Sequence, residues 1–178
     1  MPSSSFLQSL ADELYSLNEG SFVRDIDLVL NPDAPEAKAY ELVTPQIALG
    51  FPEHSPSRTS FLSNEGNALV IDADETVSGA NWMALEMPVR PKGPRCVLAV
   101  RFDVEADRSI YPEVFVRNKY SGTDYKPNRV AVFSPKFSST FLLINIHGDD
   151  LLAPHSLNVL FNCGPFRLEI SRIRYVSL

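Results

Sequence analysis

The chain is poor in the residues that build disulfide scaffolds, metal centres and hydrolytic sites. Its 178 residues include 2 cysteines, 3 histidines and 8 glycines. Two cysteines are too few for a disulfide scaffold, and there is no C-x-x-C pair for zinc or redox chemistry. The sequence also has no P-loop, no G-x-G-x-x-G fingerprint and no G-x-S-x-G elbow. These absences argue against the common nucleotide-binding and serine-hydrolase classes.

Long apolar runs and an excess of positive charge are missing as well. No stretch approaches the roughly 20 apolar residues that a membrane helix needs. The N-terminus has no basic region followed by an apolar block, so we expect no secretory signal and take the cytoplasm as the default location. The formal net charge is −6, which gives no general attraction to phosphate backbones or anionic lipids. We therefore expect no nucleic-acid partner and no membrane span.

What the chain does have is strict alternation of apolar and polar side chains between Met83 and Ile170. A period of two places the apolar residues on one face of a strand. The pattern predicts strands near 80–89, 95–104, 111–118, 128–134, 139–147, 156–163 and 165–177. Such a series predicts two packed antiparallel sheets, a β-sandwich of jelly-roll or immunoglobulin type. The phase changes near Ser171 and Arg172, which predicts a β-bulge.

The first part of the chain has a different pattern. An apolar stripe at helical spacing predicts an amphipathic helix over 5–18, and this stripe must pack on the sandwich or on a partner. Its members are Leu7, Leu10, Leu14 and Leu17. We assign the helix and a proline-containing linker to residues 1–35 and the sandwich to residues 36–178. A hairpin is expected across 64–66, and residues 40–49 are expected to form a strand interrupted at Pro45.

Two small groups of side chains bear on cofactors. Cys96 and Cys163 fall on predicted core faces, where buried free thiols are favoured over a disulfide. Asp72, Asp74 and Glu75 lie in one predicted loop and offer the hard oxygen ligands that Ca²⁺ prefers. They are the candidate ligands of a structural calcium ion, with an ordinary solvated acidic loop as the alternative. No other cofactor is expected.

The segment 118–128 is the best candidate for a binding loop. Tyr120 and Tyr125 alternate there with Asp124 and other polar groups. An aromatic ring can stack on the apolar side of a sugar while polar groups bind its hydroxyls. Loops on rigid sandwiches often carry recognition. The alternative is a solvated loop whose tyrosines pack on the end of the sandwich.

The polar residues of opposite parity to the core form a second candidate surface. Such a sheet face suits a polyhydroxylated ligand, although any solvent-facing sheet has a similar composition. The candidate ligand-binding residues are Arg101, Arg117, Asn145 and Asn158. Trp82, the only tryptophan, is opposite in parity to Met83 and is either a sugar platform or a buried residue.

The order of strong strands and the closing segment from Phe166 to Tyr175, FRLEISRIRY, resemble the jelly-roll domains of carbohydrate-binding modules over residues 60–178. The resemblance implies a non-catalytic glycan-binding or accessory role in which any calcium is structural. It also implies that Glu169 corresponds to the acidic residue that is frequent in the closing strand of those domains.

Three functions remain open at this point. The first is a non-catalytic accessory domain that binds a carbohydrate, neutral or cationic because the protein is acidic. The second is a protein-interaction or assembly module that forms a homo-oligomer or binds a partner through the N-terminal helix. The third is a carboxylate-based carbohydrate-active enzyme, for which the sequence identifies no catalytic residue. The first is favoured, and an enzyme is the less favoured reading.

Overall fold

The computed structural model describes residues 22–34, 39–52, 61–73, 82–93, 95–147, 153–162 and 165–178. Within these ranges the chain forms eleven β-strands and no α-helix. The helix predicted over 5–18 lies outside the described residues. A search of the described part of the chain for a helix with the length and hydropathy of a membrane span finds none.

The strands differ widely in length, and the longest ones lie in the second half of the chain. In chain order they are β1 (Phe22–Asp25), β2 (Ala48–Gly50), β3 (Leu62–Glu65), β4 (Ala68–Ala73), β5 (Trp82–Val89), β6 (Arg95–Ala106), β7 (Glu113–Asn118), β8 (Asp124–Tyr125), β9 (Ser138–His147), β10 (His155–Asn162) and β11 (Phe166–Ser177).

The described strands form two antiparallel sheets. The first sheet has the order β3-β4-β11-β6-β9, and β1 pairs with the C-terminal half of β11. The second sheet has the order β2-β5-β10-β7-β8. One core cluster contains residues of both sheets, and Phe133 packs between Phe102 of the first sheet and Phe161 of the second, with ring centroids 5.5 and 6.3 Å away. The predicted antiparallel β-sandwich is confirmed.

The alternation of apolar and polar residues in the sequence matches the alternation of buried and exposed residues on these strands. Met83, Leu85 and Met87 are fully buried, and the residues between them on β5 are partly exposed. The six predicted strands over 80–118 and 139–177 correspond to β5, β6, β7, β9, β10 and β11, with ends shifted by a few residues at most. The hairpin is also present: β3 pairs with β4, and Gly66 in its turn has a φ of 62°, which favours glycine.

The predicted bulge is confirmed. The register between β11 and β6 shifts between Ile170 and Arg172. The extra residue, Ser171, is exposed, and its hydroxyl donates to the main-chain oxygen of Asp103 at 3.1 Å. The shift lets Ile173 and Tyr175 continue to face the core after Ile170.

The strand predicted over 128–134 is wrong. In this segment only Phe133 forms a bridge, to Ile110, and the rest of the segment runs beside β9 without a continuous ladder. Side chains replace the ladder, because the Arg129 guanidinium donates to the main-chain oxygen of Phe141 and the Thr140 hydroxyl donates to that of Val132 at 2.7 Å.

The described part of residues 1–35 belongs to the sandwich. Strand β1 adds to the first sheet beside β11, and Ile26 and Leu28 are buried in the common core. Residues 1–21 and 35–38 lie outside the described residues, so the division of the chain near residue 35 stays a prediction. The expected strand over 40–49 is reduced to a bridge at Leu42 and to strand β2.

Candidate functional site

The outward side of the second sheet is the candidate functional site, and we call it the binding face. Its residues alternate in sequence with the buried ones on each strand. They are Ala48 and Gly50 on β2, Trp82, Ala84, Glu86 and Pro88 on β5, Ser156, Asn158, Leu160 and Asn162 on β10, Glu113, Phe115 and Arg117 on β7, and Asp124 on β8.

Two aromatic rings lie beside Gly50 at one corner of the binding face. A Cβ placed on Gly50 would lie 2.9 Å from Cε1 of Tyr40 and 3.5 Å from Cζ3 of Trp82. The Tyr40 ring therefore uses the space that a side chain at position 50 would fill. Tyr40 is 59% exposed and has a φ of 66°, a left-handed conformation that is unfavourable for a residue with a Cβ. Backbone strain of this kind is typical of functional positions.

The backbone around Tyr40 holds this conformation. The Tyr40 amide donates to the main-chain oxygen of Leu49 at 2.7 Å, and the Leu49 amide donates to that of Glu41 at 3.4 Å. Trp82 begins β5 opposite Asn162 of β10. The corner thus combines two partly exposed rings with a neighbouring amide, which is the chemistry that binds both the apolar and the hydroxylated side of a sugar.

The centre of the binding face is polar but shielded. Ser156 and Asn158 of β10 are only 1% and 6% exposed, although they point away from the core. The Asn158 side-chain amide donates to the main-chain oxygen of Ser156 at 3.0 Å and to its hydroxyl at 3.1 Å. An ion pair between Glu86 of β5 and Lys119, which directly follows β7, reaches across β10.

A second ion pair lies on the other side of β10. The Arg117 guanidinium donates from two nitrogens to the two oxygens of Asp124, at 2.7 and 2.8 Å. The same guanidinium lies 5.1 Å above the ring of Phe115, which is 8% exposed. The hydrogen bond from Arg117 lowers the pKa of Asp124 and raises that of Arg117 itself. The pair therefore stays charged over the whole neutral range.

The structure brings four of the eight predicted ligand-binding residues onto the binding face: Trp82, Arg117, Asp124 and Asn158. Tyr120 lies in the turn after β7, where its ring is 73% exposed. The Asn118 side chain orders that turn by accepting hydrogen bonds from the amides of Tyr120 and Ser121 at 2.8 and 3.1 Å.

The position expected for Tyr125 is corrected. Its side chain is 5% exposed and belongs to the core cluster, because β8 points it inward. The ring packs edge-on against His147 at 5.7 Å, and its hydroxyl donates to the main-chain oxygen of that residue at 3.3 Å. Tyr125 therefore offers no ring face to a ligand.

Two further predicted residues lie on the opposite side of the sandwich. Arg101 and Asn145 point outward from the first sheet, on β6 and β9. Arg101 donates to the buried carboxylate of Asp103 at 2.8 Å and lies 5.3 Å from the centre of the Phe141 ring. The polar residues of the two sheets therefore form two separate surfaces.

The predicted calcium ligands are only partly described. Asp72 lies on β4 and accepts a hydrogen bond of 3.4 Å from Arg167, whereas Asp74 and Glu75 lie outside the described residues. Among the described residues, no group of three or more acidic, histidine or cysteine side chains is arranged to hold a metal ion. Cys96 is a buried free thiol, and Cys163 lies outside the described residues.

Sequence reasoning did not identify Tyr40, Glu86 or Lys119. A signal for Tyr40 was present, because an isolated glycine in a strand, here Gly50, often marks the close approach of another group. The pairing of Glu86 with Lys119 had no comparable signal. These residues are 33 positions apart in sequence. They come together because β5 and β7 both pair with β10, so that the two side chains reach across it.

Comparison with solved structures finds similar folds. The xylan-binding module CBM15 matches with a TM-score of 0.51 and 10% identity, over 88% of this chain and 97% of that one. The second N-terminal cellulose-binding domain of Cellulomonas fimi β-1,4-glucanase C matches with a TM-score of 0.50 and 15% identity, over 89% and 98%. A mutant of the module CBM29-2 complexed with mannohexaose has a TM-score of 0.40 and 16% identity, over 73% and 90%.

Comparisons at the level of sequence give no match. No protein-family model matches the chain. No curated protein matches it either. The chain therefore has the β-sandwich fold of carbohydrate-binding modules, with little sequence identity to the members that it resembles.

Proposed function

We propose that this protein is a carbohydrate-binding module that binds a polysaccharide on the binding face without cleaving it. The observation that carries the proposal is the corner formed by Tyr40, Trp82 and Gly50, where two aromatic rings lie on a sheet face that also carries polar and charged side chains. Stacking of a sugar on these rings removes apolar surface from water. The likeness in fold to a xylan-binding and a cellulose-binding domain supports the same class of ligand.

The carboxylates of the binding face support a non-catalytic role. Glu86, Glu113 and Asp124 each pair with a lysine or arginine. Glycoside hydrolysis commonly needs two carboxyl groups, one of them protonated to act as the acid. For Asp124 the lowered pKa opposes protonation. We accordingly expect no release of reducing sugar from any polysaccharide that the protein binds.

The test is binding to soluble polysaccharides, with Tyr40→Ala and Trp82→Ala compared with the natural protein. Arabinoxylan, hydroxyethyl cellulose and glucomannan are suitable probes, and affinity gel electrophoresis or calorimetry gives the affinity. Each substitution should weaken binding by about tenfold or more, since aromatic residues usually dominate binding energy.

Two exposed aromatic residues elsewhere provide controls. Phe137 is 63% exposed and directly precedes β9 of the first sheet, and Tyr120 is 73% exposed beside the binding face. Phe137→Ala should leave the affinity unchanged. A loss with Tyr120→Ala alone would move the site to the turn after β7, and an absence of binding to any polysaccharide would reject the proposal.

The finer expectations stay predictions. Jelly-roll connectivity is consistent with two antiparallel sheets of non-consecutive strands. The structural calcium ion depends on Asp74 and Glu75, and the assembly hypothesis depends on residues 5–18, all of which lie outside the described residues. No contact of the described residues favours the assembly role over glycan binding.

A further inference from the structure

Six charged side chains on the binding face or directly beside it pair with one another: four lie on its strands, and Lys119 and Lys126 directly follow β7 and β8. The pairs are Glu86 with Lys119, Arg117 with Asp124 at 2.7 Å, and Glu113 with Lys126 at 2.7 Å. Three positive and three negative charges cancel locally, although the whole chain carries −6. The overall charge favours a cationic ligand, whereas the balanced charges of the face favour neither sign.

The pair of Lys119 and Glu86 lies across β10, the central strand of the second sheet. Glu86 lies opposite Asn158 on β10, and the Lys119 amide donates to the main-chain oxygen of Pro154 at 2.9 Å. Since β10 lies between β5 and β7, the two side chains must reach across it at the level of Ser156. This crossing accounts for the burial of Ser156 on an outward face.

We propose that this compensation makes the binding face selective for uncharged polysaccharides, so that it rejects both polyuronates and amino-sugar polymers. The inference rests on the proposed function and specifies its substrate class. A uronate carboxylate gains little at a cation that already binds a protein carboxylate, and it must also displace or approach that carboxylate. The same holds for a protonated amine near Glu86 or Asp124.

A neutral sugar meets no such penalty. The side chain of Glu86 is 24% exposed and that of Lys119 is 47% exposed, so each retains accessible polar atoms while the pair stays intact. Sugar hydroxyls can accept from the ammonium and donate to the carboxylate. Recognition then uses the ion pairs as fixed hydrogen-bonding groups and leaves their charges matched.

The test removes one charge of a pair and measures what the face then binds. In Glu86→Gln, Lys119 loses its carboxylate, and the protein should bind polygalacturonate about three- to tenfold more tightly than the natural protein does at low salt. The gain should disappear near 1 M NaCl, where the screening length is about 3 Å. In the complementary variant Lys119→Met, Glu86 loses its cation, and the protein should gain affinity for the positively charged chitosan oligosaccharides.

Glu105→Gln is the matched control. Glu105 is exposed on β6 of the first sheet, so this variant changes the net charge by the same amount on the opposite surface. It should not gain polygalacturonate binding. Equal gains in Glu86→Gln and Glu105→Gln would assign selectivity to overall charge and overturn the inference. Circular dichroism and thermal unfolding confirm that each variant is folded.

Binding measurements on the natural protein distinguish the proposed selectivity from the proposed glycan-binding function. Binding of arabinoxylan, hydroxyethyl cellulose or glucomannan at least about tenfold more tightly than polygalacturonate or chitosan is the expected result. Comparable binding of charged and uncharged polymers at about 0.15 M salt would overturn the selectivity and leave the glycan-binding function intact. Binding of none of these polymers would reject the glycan-binding function itself.

Discussion

At the scale of single residues, position 50 connects backbone geometry with the proposed ligand site. Tyr40 has a left-handed backbone, and its ring lies where a side chain at Gly50 would be. A glycine in a short strand contributes no packing of its own and costs conformational entropy on folding. Glycine at position 50 is explained by the Tyr40 ring, which lies where a Cβ would otherwise be.

Replacing Gly50 with alanine should therefore reduce glycan binding more than stability. The new Cβ would lie 2.9 Å from Cε1 of Tyr40, so this exposed ring must move off the strand. We expect a loss of affinity of about tenfold and a change in unfolding free energy below about 1 kcal/mol. Calorimetric titration and urea unfolding measure the two quantities.

A double-mutant comparison identifies the cause. In a Tyr40→Ala background, Gly50→Ala should have almost no further effect on affinity, because the ring that it displaces is already gone. If the two losses of affinity add in the double variant, alanine at position 50 acts on the ligand directly. The effect would then not depend on displacement of the Tyr40 ring.

At the scale of elements, alternation predicts strands well where one face is buried and poorly where side chains replace the ladder. Strands β5, β6, β9, β10 and β11 have inward residues that are nearly all buried, so period two identifies them. Residues 128–134 also alternate, with Ala131 and Phe133 buried, but there the side chains of Arg129 and Thr140 donate to main-chain oxygens in place of ladder hydrogen bonds. Pairing partners of this kind cannot be deduced from periodicity.

The same limit applies to the candidate site. Parity identifies Trp82, Arg117 and Asn158 as outward residues, but it does not say which sheet each strand joins. Arg101 has the same outward character and lies on the other sheet, because β6 pairs with β11 and β9. Strand order is decided by long-range packing, which a pattern along the chain does not contain.

The bulge at Ser171 gives a prediction for a whole strand. Deleting Ser171 would give a continuous ladder in which Arg172 stays opposite Asp103 and Ile173 stays opposite Phe102, so the inward residues of β11 keep their faces. We therefore expect the deletion variant to fold cooperatively in a thermal melt. Ser171→Ala removes only the hydrogen bond to Asp103 and should cost about 1 kcal/mol in urea unfolding. A deletion variant that does not fold cooperatively would contradict this account of the bulge.

At the scale of the whole molecule, the two sheets carry similar surface ion pairs with different surroundings. Asp25 of β1 pairs with Arg174 of β11 at 2.6 Å, and Asp124 of β8 pairs with Arg117 of β7 at 2.7 Å. Each pair joins an edge strand to its neighbour, β1 in the first sheet and β8 in the second. In both carboxyl groups the hydrogen bond from arginine outweighs the opposing effect of desolvation and lowers the pKa.

These two pairs make stability depend on acid in a defined direction. A carboxyl group whose pKa is lower in the folded state stabilises the fold at pH values above its unfolded pKa, near 3.8, and loses that contribution as the pH falls through the lower folded value. Both groups are partly exposed and screened by solvent, so each should contribute no more than about 0.5 kcal/mol. Thermal unfolding between pH 7 and about pH 2.5 should show the decline mainly below about pH 4. Asp25→Asn and Asp124→Asn should each reduce the decline, and an unaltered profile in both variants would show that other carboxyl groups cause it.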